Sequence, residues 1–257
     1  MNLNMKHFEA FKASWSGEVP KDPGSRNSPR DWASSTNLGI RLPNETMTRE
    51  LLFKIVADPA IDTPEICWSI LAWGGMHGGN RDALITSPDK EWLNVAKAVR
   101  DGEHSRGSAY DSFYGLKANN RLPGMGPAYY TKLIFFLMPR NGALPVGYIM
   151  DQWLGCSINL LFGSEIVLMD CTHSWKLSKG RPAVGSNFTV SKFNERKRYE
   201  LFCGCIEKIA DEIGIEPEMV ELLLMSGGGK TKRPWRAHVI EHRSIPDQPQ
   251  RIGCLND

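Results

Sequence analysis

At 257 residues, with 41% hydrophobic and 23% charged side chains, the chain has ordinary globular composition and enough length to bury a sizeable core. A formal net charge of +2 is too small to argue for a nucleic-acid partner, so the distribution of basic residues must decide that question. No apolar run of about eighteen residues is present to span a bilayer, and the start MNLNMKHFEAFKASW lacks a secretory apolar stretch and cleavage site. The expectation is a cytoplasmic protein, monomeric, forming one domain over 1–257.

In chain order, residues 16–45 are rich in Pro, Gly, Ser and Asn and read as a long surface loop. Helical spacing over 46–57 follows, with Thr46 or Thr48 as N-cap. Thr63, Pro64 and Glu65 open a second helix, ICWSILAW, which Gly74 and Gly75 end. MHGGNRDAL reads as a Gly-rich loop. Helices are expected over 90–100 and 105–118, then a glycine turn and an apolar helix over 127–137. Pro139, Gly142 and Pro145 mark a loop, and Asp151 opens another apolar helix, QWLGCSINLLFG. Residues 172–195 are polar and basic. Two more helices are expected over 196–213 and 217–225, with an irregular tail from Ser226 in which Pro234 and Pro246 block long elements. Strand patterns are scarce, so the fold class is all-α, built by packing helix on helix.

The turn Leu122, Pro123, Gly124, Met125, Gly126, Pro127 carries the first chemical signal. Two glycines around one residue permit a tight turn that brings N–H groups close to a ligand. Pro127 suits a helix start, and the free N–H groups with the helix dipole make an anion site fit for a phosphate. Such contacts position a duplex without reading its sequence. An ordinary helix-helix turn is the bland alternative. Asp151, directly before an apolar helix, can cap it and stay ionised. A plain N-cap is the bland alternative there.

This passage resembles the helix-hairpin-helix of DNA glycosylases, in which L-P-G-x-G precedes a helix, a Gly/Pro loop and a catalytic aspartate. The hairpin spans about 105–137 and the aspartate loop with its helix 138–162. Within that superfamily the chain is similar to the bacterial 8-oxoguanine glycosylase-fold branch, on Gly124, Gly126, Pro127, Thr131, Lys132 and Asp151. The resemblance implies two helical lobes flanking an active-site cleft, double-stranded DNA carrying a modified base as partner, and no cofactor or metal. It implies Lys132 and Asp151 as catalytic residues. Lys132 departs from the better-known pattern, whose lysine slot is Ala128 here. The two positions lie one helical turn apart on one face, within a lysine's reach. Attack on the sugar and lining of the base pocket both remain open for it.

The base must be flipped into a pocket. Trp73, Met76, His77, Asn80, Gln152 and Trp153 are the candidates for its walls, and Arg121 for a backbone contact. Core packing is the bland reading of the tryptophans. Basic residues group at Lys176, Lys179, Arg181, Lys192, Arg196, Lys197 and Arg198, and again at Lys230, Lys232, Arg233 and Arg236. Either group suits phosphates, and either suits a solvated face.

Other motifs are weaker. His238 to His242 spells H-x-x-E-H, but zinc needs a helix and a third ligand. Ser226 to Thr231 fails as a phosphate loop because the first glycine falls on Leu224. Six scattered cysteines form no C-x2-C pair and read as reduced thiols, without an iron–sulfur cluster. The expected function is base excision from DNA, with associated lyase activity left open. The substrate is expected to be a bulky modified cytosine of phage DNA, such as glucosylated hydroxymethylcytosine, in antiviral defence. The alternatives are 8-oxoguanine repair and a non-catalytic DNA-binding module.

Overall fold

Twelve helices and one two-stranded sheet make up the described residues of the computed structural model, which exclude 16, 18–21, 23, 141, 143, 179–180, 226–232 and 244–257. The order begins α1 (Met5–Ala13), α2 (Pro29–Ala33), α3 (Arg49–Ala57), α4 (Thr63–Trp73), α5 (Gly78–Thr86) and α6 (Glu91–Arg100). It continues with α7 (Arg106–Ala118), α8 (Pro127–Leu137) and α9 (Gln152–Phe162). Strands β1 (Met169–Ser178) and β2 (Arg181–Val190) precede α10 (Arg196–Ile213), α11 (Pro217–Met225) and α12 (Pro234–His242). The expected all-α fold is the one observed.

Helix α8 is the central element. Every residue from Tyr130 to Leu137 is buried, and the helix packs on α3, α4, α6 and α7. A helix apolar on all sides must be covered on all sides. Helix α4, buried from Ile66 to Ala72, is a second such rod. Around them the amphipathic α6 and α10 present one face each, burying Trp92, Ala96 and Val99, and Tyr199, Phe202, Ile206 and Ile209. Arg106 ties α7 to α10 through Glu200 (2.8 Å) and Glu207, and donates to Val146 O (3.2 Å) in the loop before α9.

Four features differ from the expectations. Within the supposed loop 16–45, Pro29 starts the short helix α2, capped by Ser28 Oγ accepting from Asp31 N at 3.0 Å. The supposed Gly-rich loop after α4 is largely helix α5. Its Arg81 side chain donates to Trp32 O and Ser35 Oγ (2.9 Å), and this packing overrides the poor helix propensity of glycine. Pro234 does not block the tail; it occupies the first turn of α12, where its missing N–H costs nothing. Finally, residues 169–190 form an antiparallel hairpin with Met169 opposite Val190 and Cys171 opposite Phe188. Those four positions at its base are buried, and the period of two they carry is hidden in an otherwise polar sequence.

Candidate functional site

The hairpin joining α7 and α8 is held by side chains that point inward. Leu122 and Met125 have no exposed surface, while Pro123, Gly124 and Gly126 are half-buried. Gly124 has φ +70°, and a Cβ there would lie 2.2 Å from Asn80 O, so both conformation and space require glycine. Gly126 is different. Its φ is −115°, and a Cβ built on it meets nothing within 4 Å, leaving open space before the helix. Neither Gly126 N–H nor Ala128 N–H donates a hydrogen bond among the described residues, and Pro127 has no N–H to give. The turn thus presents unspent donors at a helix start, facing open space.

One turn into α8, Lys132 is 7% exposed. Its stem passes the end of α4 so closely that a Cβ on Gly74 would lie 2.6 Å from the Lys132 Cδ. The amine turns back along its own helix and donates to Ala128 O at 2.6 Å, 5.6 Å from the Tyr129 ring centre. It therefore sits beside the slot that other lysine-bearing patterns fill from position 128. Asp151 caps α9, its Oδ1 accepting from Trp153 N (2.8 Å) and Leu154 N (3.1 Å). What brings the two together is the preceding residue of each: Met150 N donates to Thr131 Oγ1 at 3.0 Å. Burial holds the Lys132 amine below the usual lysine range, while Asp151 and Glu221 oppose that shift and Arg49 adds to it.

Arg49 and Glu221 were not singled out by sequence reasoning. Glu221 of α11 is fully buried and paired with Arg49 of α3. The Arg49 guanidinium lies 5.5 Å from the Trp73 ring centre and 5.1 Å from that of Phe135. On the other side, Arg236 of α12 lies over the Trp153 ring at 4.3 Å and donates to Met225 O at 2.7 Å. Burial lowers the Arg236 pKa and Asp151 opposes that fall. Lysine, aspartate, two tryptophans and two arginines thus gather where α3, α4, α8, α9, α11 and α12 meet.

A profile of the family described as "Putative 8-oxoguanine DNA glycosylase OGG-like protein" matches residues 2–225, most of the chain. The chain belongs to this OGG-like family. No curated protein matches it, and no solved structure does. The family points to a DNA glycosylase and therefore to DNA as the substrate. No helix among the described residues is long and apolar enough to cross a membrane.

The other residues expected to form the OGG-like site fall in three places. Trp73 is half-buried, with its ring edge on Phe136, next to the lysine stem. Gln152 and Trp153 start α9; the Gln152 amide donates to Phe188 O (2.5 Å) and accepts from Trp153 Nε1 (3.1 Å), which fixes the indole. Met76, His77 and Asn80 gather elsewhere. Met76 is buried with its carbonyl accepting from Trp32 Nε1 at 2.9 Å, the Asn80 carbonyl abuts Gly124, and His77 is an exposed N-cap. Arg121 is exposed but paired with Asp89 at 2.5 Å.

The basic residues are partly spoken for. Arg196 pairs with Asp111 (3.1 Å), and Arg198 donates to Glu165 O (2.8 Å) and Ile166 O (3.1 Å). Lys176 and Arg181 occupy register positions on β1 and β2, opposite Ala183 and Ser178. Lys179, Lys230 and Lys232 lie outside the described residues, as do Cys254 and the loop Ser226 to Thr231. His238 and His242 do share a helix and stack at 4.1 Å, yet among the described residues no group of three His, Cys, Asp or Glu is placed to hold a metal ion. Cys67, Cys156, Cys171, Cys203 and Cys205 are buried.

Proposed function

We propose that the protein flips a modified base out of double-stranded DNA and excises it, with Lys132 and Asp151 carrying the chemistry. The observation that supports this most is a buried amine, its charged form disfavoured by desolvation, joined to a helix-capping carboxylate through the Thr131–Met150 hydrogen bond. The hairpin N–H groups of Gly126 and Ala128 take a backbone phosphate, and Trp73 and Trp153 offer aromatic faces to the extruded base.

In this reading Lys132 gives its proton to solvent and attacks the sugar C1′ as a neutral amine. The new C1′–N bond forms as the N-glycosidic bond breaks, and the base leaves with the bonding pair and takes a proton from water. Asp151 stabilises the positive charge that develops on the sugar. The nitrogen then passes a proton to Asp151 as the C1′–O4′ bond opens and O4′ takes one from water, giving a protonated imine that water hydrolyses to the abasic aldehyde. Strand cleavage from that imine is the associated lyase reaction.

The family description favours 8-oxoguanine as the base. A bulky glucosylated cytosine would draw support from an open glycine-rich wall over 72–80. Helix α5 takes up Gly78 and Gly79, and the Asn80 backbone packs on the hairpin, which removes that support. Base release measured by mass spectrometry from duplexes carrying 8-oxoguanine, and from phage DNA carrying glucosylated hydroxymethylcytosine, decides the substrate. Borohydride trapping on the same duplexes tests Lys132. A chain that binds these duplexes yet frees no base and leaves no abasic site is the non-catalytic module instead.

A further inference from the structure

The H-x-x-E-H run takes no part in base release, yet it meets the first helix of the chain. His7 Nδ1 of α1 and His238 Nε2 of α12, 231 residues apart, share a hydrogen bond of 3.0 Å. His242 completes the cluster: its ring stacks on His238 with centres 4.1 Å apart, and its centre lies 5.5 Å from that of His7. All three are half-buried. Helix α12 lies beyond the residues 2–225 that the family profile matches.

Nine residues are too few to hold a helix in water, so α12 stands on its tertiary contacts. Trp235 anchors it, its Nε1 donating to Ser157 Oγ at 3.0 Å and its ring meeting Phe11 edge-on at 5.1 Å. Arg236 joins it to α11 through Met225 O and lies over the ring of Trp153, whose N–H donates to Asp151. Docking of α12 therefore reaches the candidate site. The histidine pair is the part of that docking that responds to mild acid. A hydrogen bond between two imidazoles needs one N–H and one lone pair. A first proton leaves it in place. A second sets N–H against N–H with both rings charged.

The surroundings act in the same sense. Burial, His242 and Lys6 lower the His7 value, and burial, His242, His7 and Lys6 lower that of His238 against an opposing Glu241. Cys156 of α9, Glu165 just after it and Arg243 line a cavity together with His7 and His242. Both members of the pair are thus held below the ordinary 6.5 while α12 is docked. Their contribution to docking is complete above 6.5 and is lost as pH falls below it, because the released rings take up protons first.

We propose that His7 and His238 form a proton-operated latch: with at most one proton between them they hold α12 over the first turn of α9, and with two they release it, drawing Arg236 away from Trp153. The latch stands on this geometry and not on the reading of Lys132 as nucleophile.

Hydrogen exchange of the full chain tests it, read by mass spectrometry on α12 peptides and corrected for the intrinsic pH dependence of exchange. From about pH 7.5 to about pH 5.5, protection of α12 falls by about tenfold while α8 stays protected. The fall coincides with the second protonation of the pair, followed by 15N-histidine shifts. His7→Phe/His238→Phe keeps aromatic packing and cannot titrate, so its α12 protection no longer changes over that range. His7→Gln/His238→Gln stands in if the phenylalanine pair fails to fold. Wild-type protection that holds constant into acid overturns the latch, as does an equal fall in the double variant or a parallel loss at α8. The measurement uses no DNA, so absence of base release is a separate result that overturns the glycosylase reading alone.

Discussion

Thr131 Oγ1 accepts the Met150 amide at 3.0 Å and donates to Pro127 O at 2.7 Å, so one hydroxyl clamps the central helix to the loop before α9. Lys132 and Asp151 are the next residue on each side of that clamp. Thr131→Val keeps the shape and strands a buried N–H, which costs about 1–3 kcal/mol. Urea unfolding reads that loss. In the same variant kcat for base release falls further than KM changes, since in the proposed reaction the clamp orients Lys132 and Asp151 and not the duplex. A Thr131→Val enzyme with unchanged kcat contradicts this assignment.

The two hairpin glycines separate fold from function. Gly124→Ala places a methyl group against the Asn80 carbonyl in a left-handed conformation, and it lowers stability by more than about 1 kcal/mol. Gly126→Ala has room and an ordinary φ, so its melting temperature stays within a few degrees of wild type. Its methyl group stands where a phosphate approaches, and affinity for duplex DNA falls. Calorimetry and fluorescence anisotropy on both variants check the contrast.

Asp151 caps α9, and conservative substitution separates that role from the catalytic one proposed for it. Asp151→Asn retains an oxygen to cap α9 and keeps the melting temperature, whereas Asp151→Ala loses the cap at about 1 kcal/mol. Base release falls in both by on the order of 10²–10⁴, because neither can accept a proton or face a cationic sugar with negative charge. Comparable activity in Asp151→Asn and wild type leaves only the capping role.

The pH dependence follows from the sign of the lysine shift. Lys132 is held below its ordinary value of 10.5 by burial, and the amine attacks only when neutral. With Lys132 as the proposed nucleophile, borohydride-trappable product therefore rises with pH along a limb centred below 10.5. Lys132→Arg, charged throughout, gives no trapped product at any pH. A limb centred on the value of an exposed lysine is inconsistent with the buried position.

Stability tests the buried ion pair independently of activity. Arg49→Met alone strands Glu221 and costs about 3–5 kcal/mol. Arg49→Met/Glu221→Leu removes both charges and lies near wild type or above it in urea midpoint. Equal penalties in single and double variants show that the two charges do not interact.

Much of the helical frame is legible in the sequence because local signals coincide there. Pro64 and Pro127 sit in first turns, Thr48, Ser105 and Asp151 cap, Gly163 and Gly214 stop in left-handed conformation, and the apolar spacing between them has one period. The hairpin and Asp151 carry spacing that needs no third dimension to notice. Sequence misreads α5 and the β1–β2 hairpin for opposite reasons. Two glycines hide a helix that Arg81 pins from outside, and a polar sequence hides strands whose base is buried at Met169, Cys171, Phe188 and Val190.

The chain order alone determined the helix starts, the glycine turn and the candidate lysine and aspartate, because each is a short-range pattern in which neighbours fix backbone shape. Only the tertiary structure decided what surrounds them. Arg49, Glu221 and Arg236 come to the lysine and the aspartate from the distant helices α3, α11 and α12, and Met76 and Asn80 turn aside to pack. Burial and electrostatic neighbourhood depend on how helices cross, and no local periodicity encodes a crossing.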